Sequence, residues 1–161
     1  MKKQKGFSLV ELLIVVAIIL IIAAIAIPNL IRSKMAANEA SAVASLRTIN
    51  TGEVTYNNTY PGTFAALSSL GPGAATCGTP ASANACLIDN LLASAVDATH
   101  TKSGYMFKVT QGAATYTAEA EPGAPGSTGT RGFCTDQNLV LFWVAVGAGF
   151  STCVTTSGTP L

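Results

Sequence analysis

The stretch GFSLVELLIVVAIILIIAAIAIPNLI, residues 6–31, carries a single charge, Glu11, and runs without a helix breaker as far as Pro28. As a helix, residues 7–27 extend about 31 Å, one hydrocarbon core of a bilayer. This segment is predicted to span a membrane. Lys2, Lys3 and Lys5 precede it, and Arg32 and Lys34 follow. That balance weakly favours a cytoplasmic N-terminus, with everything beyond Arg32 on the other side.

Outward from this segment, the composition bounds the rest. The chain has 161 residues, 49% apolar and only 11% charged, enough for one folded domain plus one long apolar element. A multidomain enzyme does not fit in that length. The net charge of +1 hides an asymmetry, because three of the nine basic residues lie before the apolar run and leave six against eight acidic residues. No clustered positive face remains for nucleic acid, so no direct nucleic-acid binding is expected.

Glu11 is not explained by a plain anchor. A carboxylate near the centre of a spanning helix costs about 2.5 to 3.5 kcal/mol, less near an end, where it can reach the headgroups. No basic side chain lies between Lys5 and Arg32. The only other cation available on this segment is a backbone amine made by cutting the chain nearby, and a cut after Gly6 would supply one. A removable secretory signal is the competing reading, with Ala24-Ile25-Ala26 as its cleavage site. Its apolar region would be too long and would contain Glu11.

Lys5-Gly6 followed by Phe7-Ser8-Leu9-Val10-Glu11 and the long apolar run resembles the prepilin signature of type IV pilins and of the pseudopilins of type II secretion. The resemblance is specific over residues 5–28. It implies that a prepilin peptidase cleaves after Gly6 and methylates Phe7. It also implies that Glu11, fifth in the processed chain, attracts the N-terminal amine of a neighbouring subunit during assembly. In a low-dielectric bundle much of that Coulomb energy offsets desolvation, so register is the expected role of the carboxylate. The family also keeps a proline where Pro28 stands, and the helix there is implied to bend or partly melt in filaments. Pro28 removes one backbone bond, and local extension over residues 23–28 is the corresponding expectation.

Residues 29–58 continue the helix, with Met35, Ala42, Leu46, Ile49 and Tyr56 on one face, interrupted by Glu53. Gly52 weakens this helix, which is expected to end between residues 52 and 60. Both halves together make a helix of about 75 Å. That exceeds any compact globule of this size, so the first half is expected to project into membrane or partners. Coiled-coil dimerisation is the alternative use of the amphipathic face; packing on a sheet is preferred because strands follow.

Tyr60-Pro61-Gly62 stops the helix, and residues 62–104 read as a connecting loop. Within it, residues 86–93 form a short amphipathic helix with Leu87, Leu91 and Leu92 inward. Tyr105, Phe107 and Val109 alternate with polar residues, and after Gln111-Gly112 a second run over residues 115–120 completes a hairpin. Residues 122–129 read as a flexible connection. A third strand covers residues 133–135, Asp136-Gln137-Asn138 turns the chain, and a fourth covers residues 139–146. The expected fold is α+β, one long N-terminal helix packed on a roughly four-stranded antiparallel sheet. Lys102-Ser103-Gly104-Tyr105 and Thr130-Arg131-Gly132-Phe133 loosely resemble pilin heads. Asn138 departs from the glycine expected in near relatives, and the continuation to Leu161 has no counterpart.

Cys77, Cys86, Cys134 and Cys153 all follow the apolar segment, and two disulfides admit three connectivities. Short loops favour Cys77 with Cys86 and Cys134 with Cys153; the second pair also resembles the loop closing many pilin heads. A zinc site is disfavoured, because no Cys-x-x-Cys occurs and His100 is the only histidine. No metal and no cofactor is expected. One histidine and no matching motif assemble no catalytic triad, paired-histidine or phosphate-loop arrangement, so no catalytic residue is assigned and the chain is expected not to be an enzyme. Asp89 and Asp97 read as a helix turn and a solvated loop. Glu119 and Glu121 read as a solvated strand face, and calcium near Asp136 is a minor alternative. Asn57-Asn58-Thr59 is a glycosylation sequon of low specificity. No aromatic lies between Phe7 and Tyr56, so the helix offers no continuous stacking path for electrons.

The resulting expectation is a leader peptide at 1–6, a membrane or filament-core helix at 7–28, its amphipathic continuation at 29–58 and a head at 59–161. The resemblance implies a structural subunit of a type IV pilus, serving motility, adhesion or DNA uptake. Its partners are other copies in a helical filament, the prepilin peptidase and the inner-membrane assembly machinery. The precursor lies in the inner membrane with a periplasmic head, and the pilus is extracellular. The alternatives are a type II secretion pseudopilin and a membrane-anchored periplasmic binding domain.

Overall fold

The computed structural model describes residues 7–74, 76–112, 114–146 and 159–161. It falls into two units, Met1–Lys34 and Met35–Leu161, and α1 (Leu9–Thr59) contributes to both. In the first unit the helix begins where the Ser8 carbonyl accepts the Leu12 N–H at 3.2 Å. It is helical through residues 23–28 and past Pro28, so the extension expected there does not occur in the single chain. Pro28 has no N–H to offer Ala24, but the Asn29 side chain donates to the Ile25 carbonyl at 3.1 Å. The helix therefore absorbs the proline without a break.

In the second unit α1 lies against an antiparallel sheet in the order β1 (Tyr105–Gln111), β2 (Tyr116–Pro122), β3 (Arg131–Asp136), β4 (Leu141–Ala145) and β5 (Thr159–Pro160). The strands follow chain order, as a meander does. The period of two in residues 105–109 continues as a regular ladder, from Tyr105 opposite Pro122 to Gln111 opposite Tyr116. β5 is a fifth strand beyond the four expected, two residues paired with Phe142 and Trp143. It is too short for alternation to mark it. β4 is also shorter than expected, because Leu139 and Val140 belong to the preceding turn and are exposed. There the Leu139 N–H returns to the Asp136 carbonyl and Leu139 itself takes a φ of 64°.

The core is one cluster. Ala42, Leu46, Ile49 and Tyr56 of α1 meet Tyr105, Phe107, Tyr116, Ala118, Phe133 and Leu141 of the sheet. Fully burying a side chain such as Leu46 or Ile49 contributes roughly 1.5 to 3 kcal/mol. Gly52 does not end the helix. It faces Leu70 and Ile88, and α1 continues to Thr59.

The connection between helix and sheet contains α2 (Leu67–Leu70) and α3 (Asn90–Ala93). The expected helix over residues 86–93 is only its last turn. Leu92 is buried and Leu87 partly so, but Leu91 is exposed and Ile88 takes the inward place. The helix starts late because Asp89 caps it, accepting the Leu92 N–H at 3.1 Å. Nor is the segment after β2 merely a flexible link. The Gly126 N–H reaches the Gly129 carbonyl, and the Thr128 hydroxyl accepts from the Ala124 N–H. Cys77 and Cys86 are joined by a disulfide that closes one short loop of the connection. Cys134 is buried on β3, and no free cysteine occurs among the described residues. The expected Cys134–Cys153 pairing involves a residue outside them.

Candidate functional site: an apolar helix and a polar-anchored head

The first unit has the chemistry of a surface that needs covering. Residues 9–31 are exposed apart from partly shielded Ala23, although almost all are apolar. Leu9, Leu12, Leu13, Val16, Ala17 and Leu20 line a shallow groove along one side of the helix. This is the one helix, among the described residues, long and apolar enough to cross a membrane. Lipid or other helices of the same kind are the surroundings that such a surface tolerates.

Glu11 sits in the first turn of α1, where the unpaired N–H groups and the helix dipole favour a negative charge. Ser8 and Glu11 have the Ser-x-x-Glu spacing of a capping box. The sequence held that signal. It lowers the cost of carrying a carboxylate at the end of an apolar segment. Gly6 lies outside the described residues, and Phe7 is exposed just before the helix. Pro28 lies in the same unit, seventeen positions on, within the unbroken helix.

The second unit shows how the lower part of α1 is fixed to the sheet. Glu39 is buried and accepts four hydrogen bonds, from the Thr130 N–H at 2.9 Å, the Thr130 hydroxyl at 3.0 Å, and Arg131 Nε and Nη2 at 2.9 and 2.7 Å. Burial opposes its ionisation. The Thr130 N–H and hydroxyl and the Arg131 guanidinium outweigh that penalty and hold the carboxyl below its ordinary value. The Arg131 guanidinium also lies over the rings of Phe133 and Trp143, at 5.8 and 5.7 Å from their centroids. One arginine thus ties α1, β3 and β4.

Further along the helix, Asn50 donates to the Thr135 hydroxyl at 3.0 Å and accepts from the Tyr116 hydroxyl at 2.9 Å, all within the core. Polar pairing of this kind fixes register, because a shifted helix would leave these groups buried and unpaired. Sequence reasoning assigned none of Glu39, Asn50 and Arg131. A signal was present. Positions 39, 42, 46, 49, 53 and 56 are spaced alternately by three and four, so both glutamates fall on the inward stripe.

Glu119 and Glu121 were expected to face solvent, and both are buried. Burial raises each carboxyl above its ordinary value; at Glu119, Lys108 opposes that rise and Glu121 adds to it. The polar face of β2 is therefore covered, which alternation alone does not reveal. Asp89 binds Lys102 Nζ at 2.7 Å as well as capping α3. Asp97, His100 and Thr99 form an exposed turn in which the Thr99 hydroxyl and the His100 ring hold the Asp97 carboxyl low. Asp136 is occupied by the N–H and side chain of Asn138. Among the described residues, no three acidic, cysteine or histidine side chains gather as a metal site. Asn57 of the sequon lies in the last turns of α1 and donates to the Thr63 carbonyl at 3.0 Å.

Residues 1–27 match the family model described as the prokaryotic N-terminal methylation motif. The chain is similar to the type IV wide pilus major component PilA4 of Thermus thermophilus, 46% identical over 74 residues, which is 44% of this chain and 56% of that protein. It is similar to the type IV major pilin protein PilA of Myxococcus xanthus, 43% identical over 54 residues, 34% of this chain and 24% of that protein. It is also similar to the type II secretion system core protein G of Escherichia coli, 35% identical over 71 residues, 42% and 49% of the two chains. The matches span about half or less of the length of these curated relatives. No solved structure matches the chain.

Proposed function

We propose that this chain is the precursor of a type IV pilus subunit, a structural protein that polymerises through its N-terminal helix and presents the head on the filament surface. The observation that carries this reading is the exposed apolar helix of residues 9–31, with one carboxylate five positions after Gly6. A helix serving only as an anchor has no use for Glu11. The prokaryotic methylation motif and the likeness to pilin major components support the same reading.

On this account residues 1–6 are a leader removed by a prepilin peptidase after Gly6, and Phe7 is the methylated first residue. Residues 7–28 hold the precursor in the inner membrane, with the head on the periplasmic side, until the assembly machinery transfers it to a filament. The lipid around the apolar surface is then exchanged for helices of neighbouring copies, so little hydrophobic free energy is lost. Glu11 meets the amine of Phe7 on a neighbouring copy and sets the axial register. Pro28, already lacking one backbone bond, lets the helix bend as copies pack. Residues 29–58 seat the head, residues 59–161, and its core chemistry is that of a scaffold.

A pseudopilin is the second reading, favoured by the likeness to core protein G. It predicts a short periplasmic assembly in place of a surface filament. Replacing Glu11 tests the mechanism. In cells with the assembly machinery, Glu11→Ala is expected to insert and be processed normally but to yield far fewer sheared filaments, since a loss of about 1.4 kcal/mol in one addition step already weakens that step about tenfold. Filaments at the normal level from Glu11→Ala would sink the register role of that carboxylate.

A further inference from the structure

Glu53 and Glu39 occupy the same inward stripe of α1 and are treated in opposite ways. Glu39 has four donors, two of them on the Arg131 guanidinium. Glu53 is wholly buried; among the described residues its Oε2 accepts only the Ala65 N–H, at 2.9 Å, and its Oε1 meets no hydrogen-bonding partner. Ala65 belongs to the connector of residues 60–66, between α1 and α2. That connector is also held by Asn57 on the Thr63 carbonyl, by the Tyr56–Tyr60 ring pair at 4.9 Å and by the Phe64–Tyr116 pair at 4.8 Å.

The groups around Glu53 do not support a charge. On its own helix, Asn50 and Tyr56 flank it three positions either way, and both are committed elsewhere, Asn50 to Thr135 and Tyr116, Tyr56 to the Ser82 carbonyl. From the connector comes the one N–H. From β2 comes Tyr116, a phenol whose own ionisation is opposed first by burial and then by Glu53 and Asp136. Behind it on β3 stands Asp136, itself a carboxylate. Ion pairs are seen at Glu39, Asp89 and Asp97 among the described residues. A carboxylate in such surroundings takes up a proton. Burial, opposed only by the Ala65 N–H, pushes Glu53 up from 4.5 to about 7.

We propose that Glu53 is carried as a neutral carboxylic acid and forms a proton-dependent clasp, which seats residues 60–66 on α1 when protonated and releases them when ionised. The closed state binds the proton more tightly than the opened one. Its advantage is therefore complete below pH 4.5, falls as pH rises toward about 7, and stays at its reduced level above that. The ring contacts that hold the connector do not titrate; the raised Glu119 and Glu121 lie on β2, and a Glu53→Gln chain keeps both of them in place. The proposal stands independently of the filament reading.

Hydrogen exchange of the full chain in detergent micelles tests it. After division by intrinsic rates, protection at residues 63–66 is expected to fall about tenfold or more between roughly pH 5.5 and roughly pH 8.5 in the native chain, and to stay within about twofold in Glu53→Gln. An equal fall in Glu53→Gln, or none in the native chain, overturns the clasp. Should Glu53→Gln fail to fold, carbon-13 NMR titration of labelled glutamate in the native chain decides. A resonance assigned to the Glu53 carboxyl that titrates near 7 supports the proposal, and titration of that carboxyl near the ordinary 4.5 overturns it.

Discussion

Glu39 shows how one buried carboxylate is made to stabilise ionised, and the pH dependence follows from its sign. Its folded value lies below the ordinary 4.5, so its contribution is complete above that pH and is lost as pH falls through the lowered folded value. Glu39→Gln keeps the shape but loses the ion pair with Arg131. With a half-exposed guanidinium the cost is expected to be about 1 to 3 kcal/mol at pH 7. Thermal unfolding of both chains across pH checks this, and the gap between them is expected to narrow as pH falls below 4.5 through the lowered folded value, where the native carboxyl also gains its proton. Glu53, Glu119 and Glu121 act in the opposite direction, being raised, and favour the fold on the acid side of neutrality. The burial of these four glutamates was the least legible part of the sequence, because a charged residue reads as solvated by default. Glu39 and Glu53 could have been found from their places on the inward stripe of α1. Glu119 and Glu121 could not, since alternation of apolar and polar residues ordinarily marks a strand with one solvated face.

Among the elements, the legible ones were those whose period lasted. α1, the β1–β2 hairpin and the turn at Asp136 were readable because several turns of helix, several residues of alternation or a run of turn formers repeated the same message. α2, α3 and β5 carry four, four and two residues, too few for any period, and their positions depend on tertiary contacts. Gly52 marks the difference between propensity and context. A glycine inside a helix costs about 0.5 to 1 kcal/mol relative to alanine, and its expected role was to loosen α1. In the fold a Cβ at this position would meet Ile88 and Leu70 at 3.5 to 3.7 Å, ordinary contact distances. Gly52→Ala is therefore expected to stabilise the head by about 0.5 to 1 kcal/mol, seen as a higher unfolding midpoint in denaturant. A lower midpoint would mean that the contact with α2 is tighter than it looks.

At the scale of the whole molecule, the sequence divides labour between two kinds of surface. The head encloses its aromatic core, and Glu39, Asn50 and Arg131 tie helix to sheet. The apolar segment satisfies nothing within its own chain. An unpaired apolar helix on a folded head suits a subunit that moves from a bilayer to a filament of its own kind. The prepilin signature was the most legible feature of all, because glycine, aromatic residue, glutamate and unbroken hydrophobic run must coincide.

The central claim is that the chain is processed after Gly6 and assembled outside the cell. Filaments sheared from cells should contain it, and the intact mass and N-terminal sequence of the chain in that fraction test the claim directly. The account predicts a chain beginning at Phe7 with one added methyl group. A chain beginning at Met1 or Ile27, or its absence from the sheared fraction while it is present in the cells, would contradict the account.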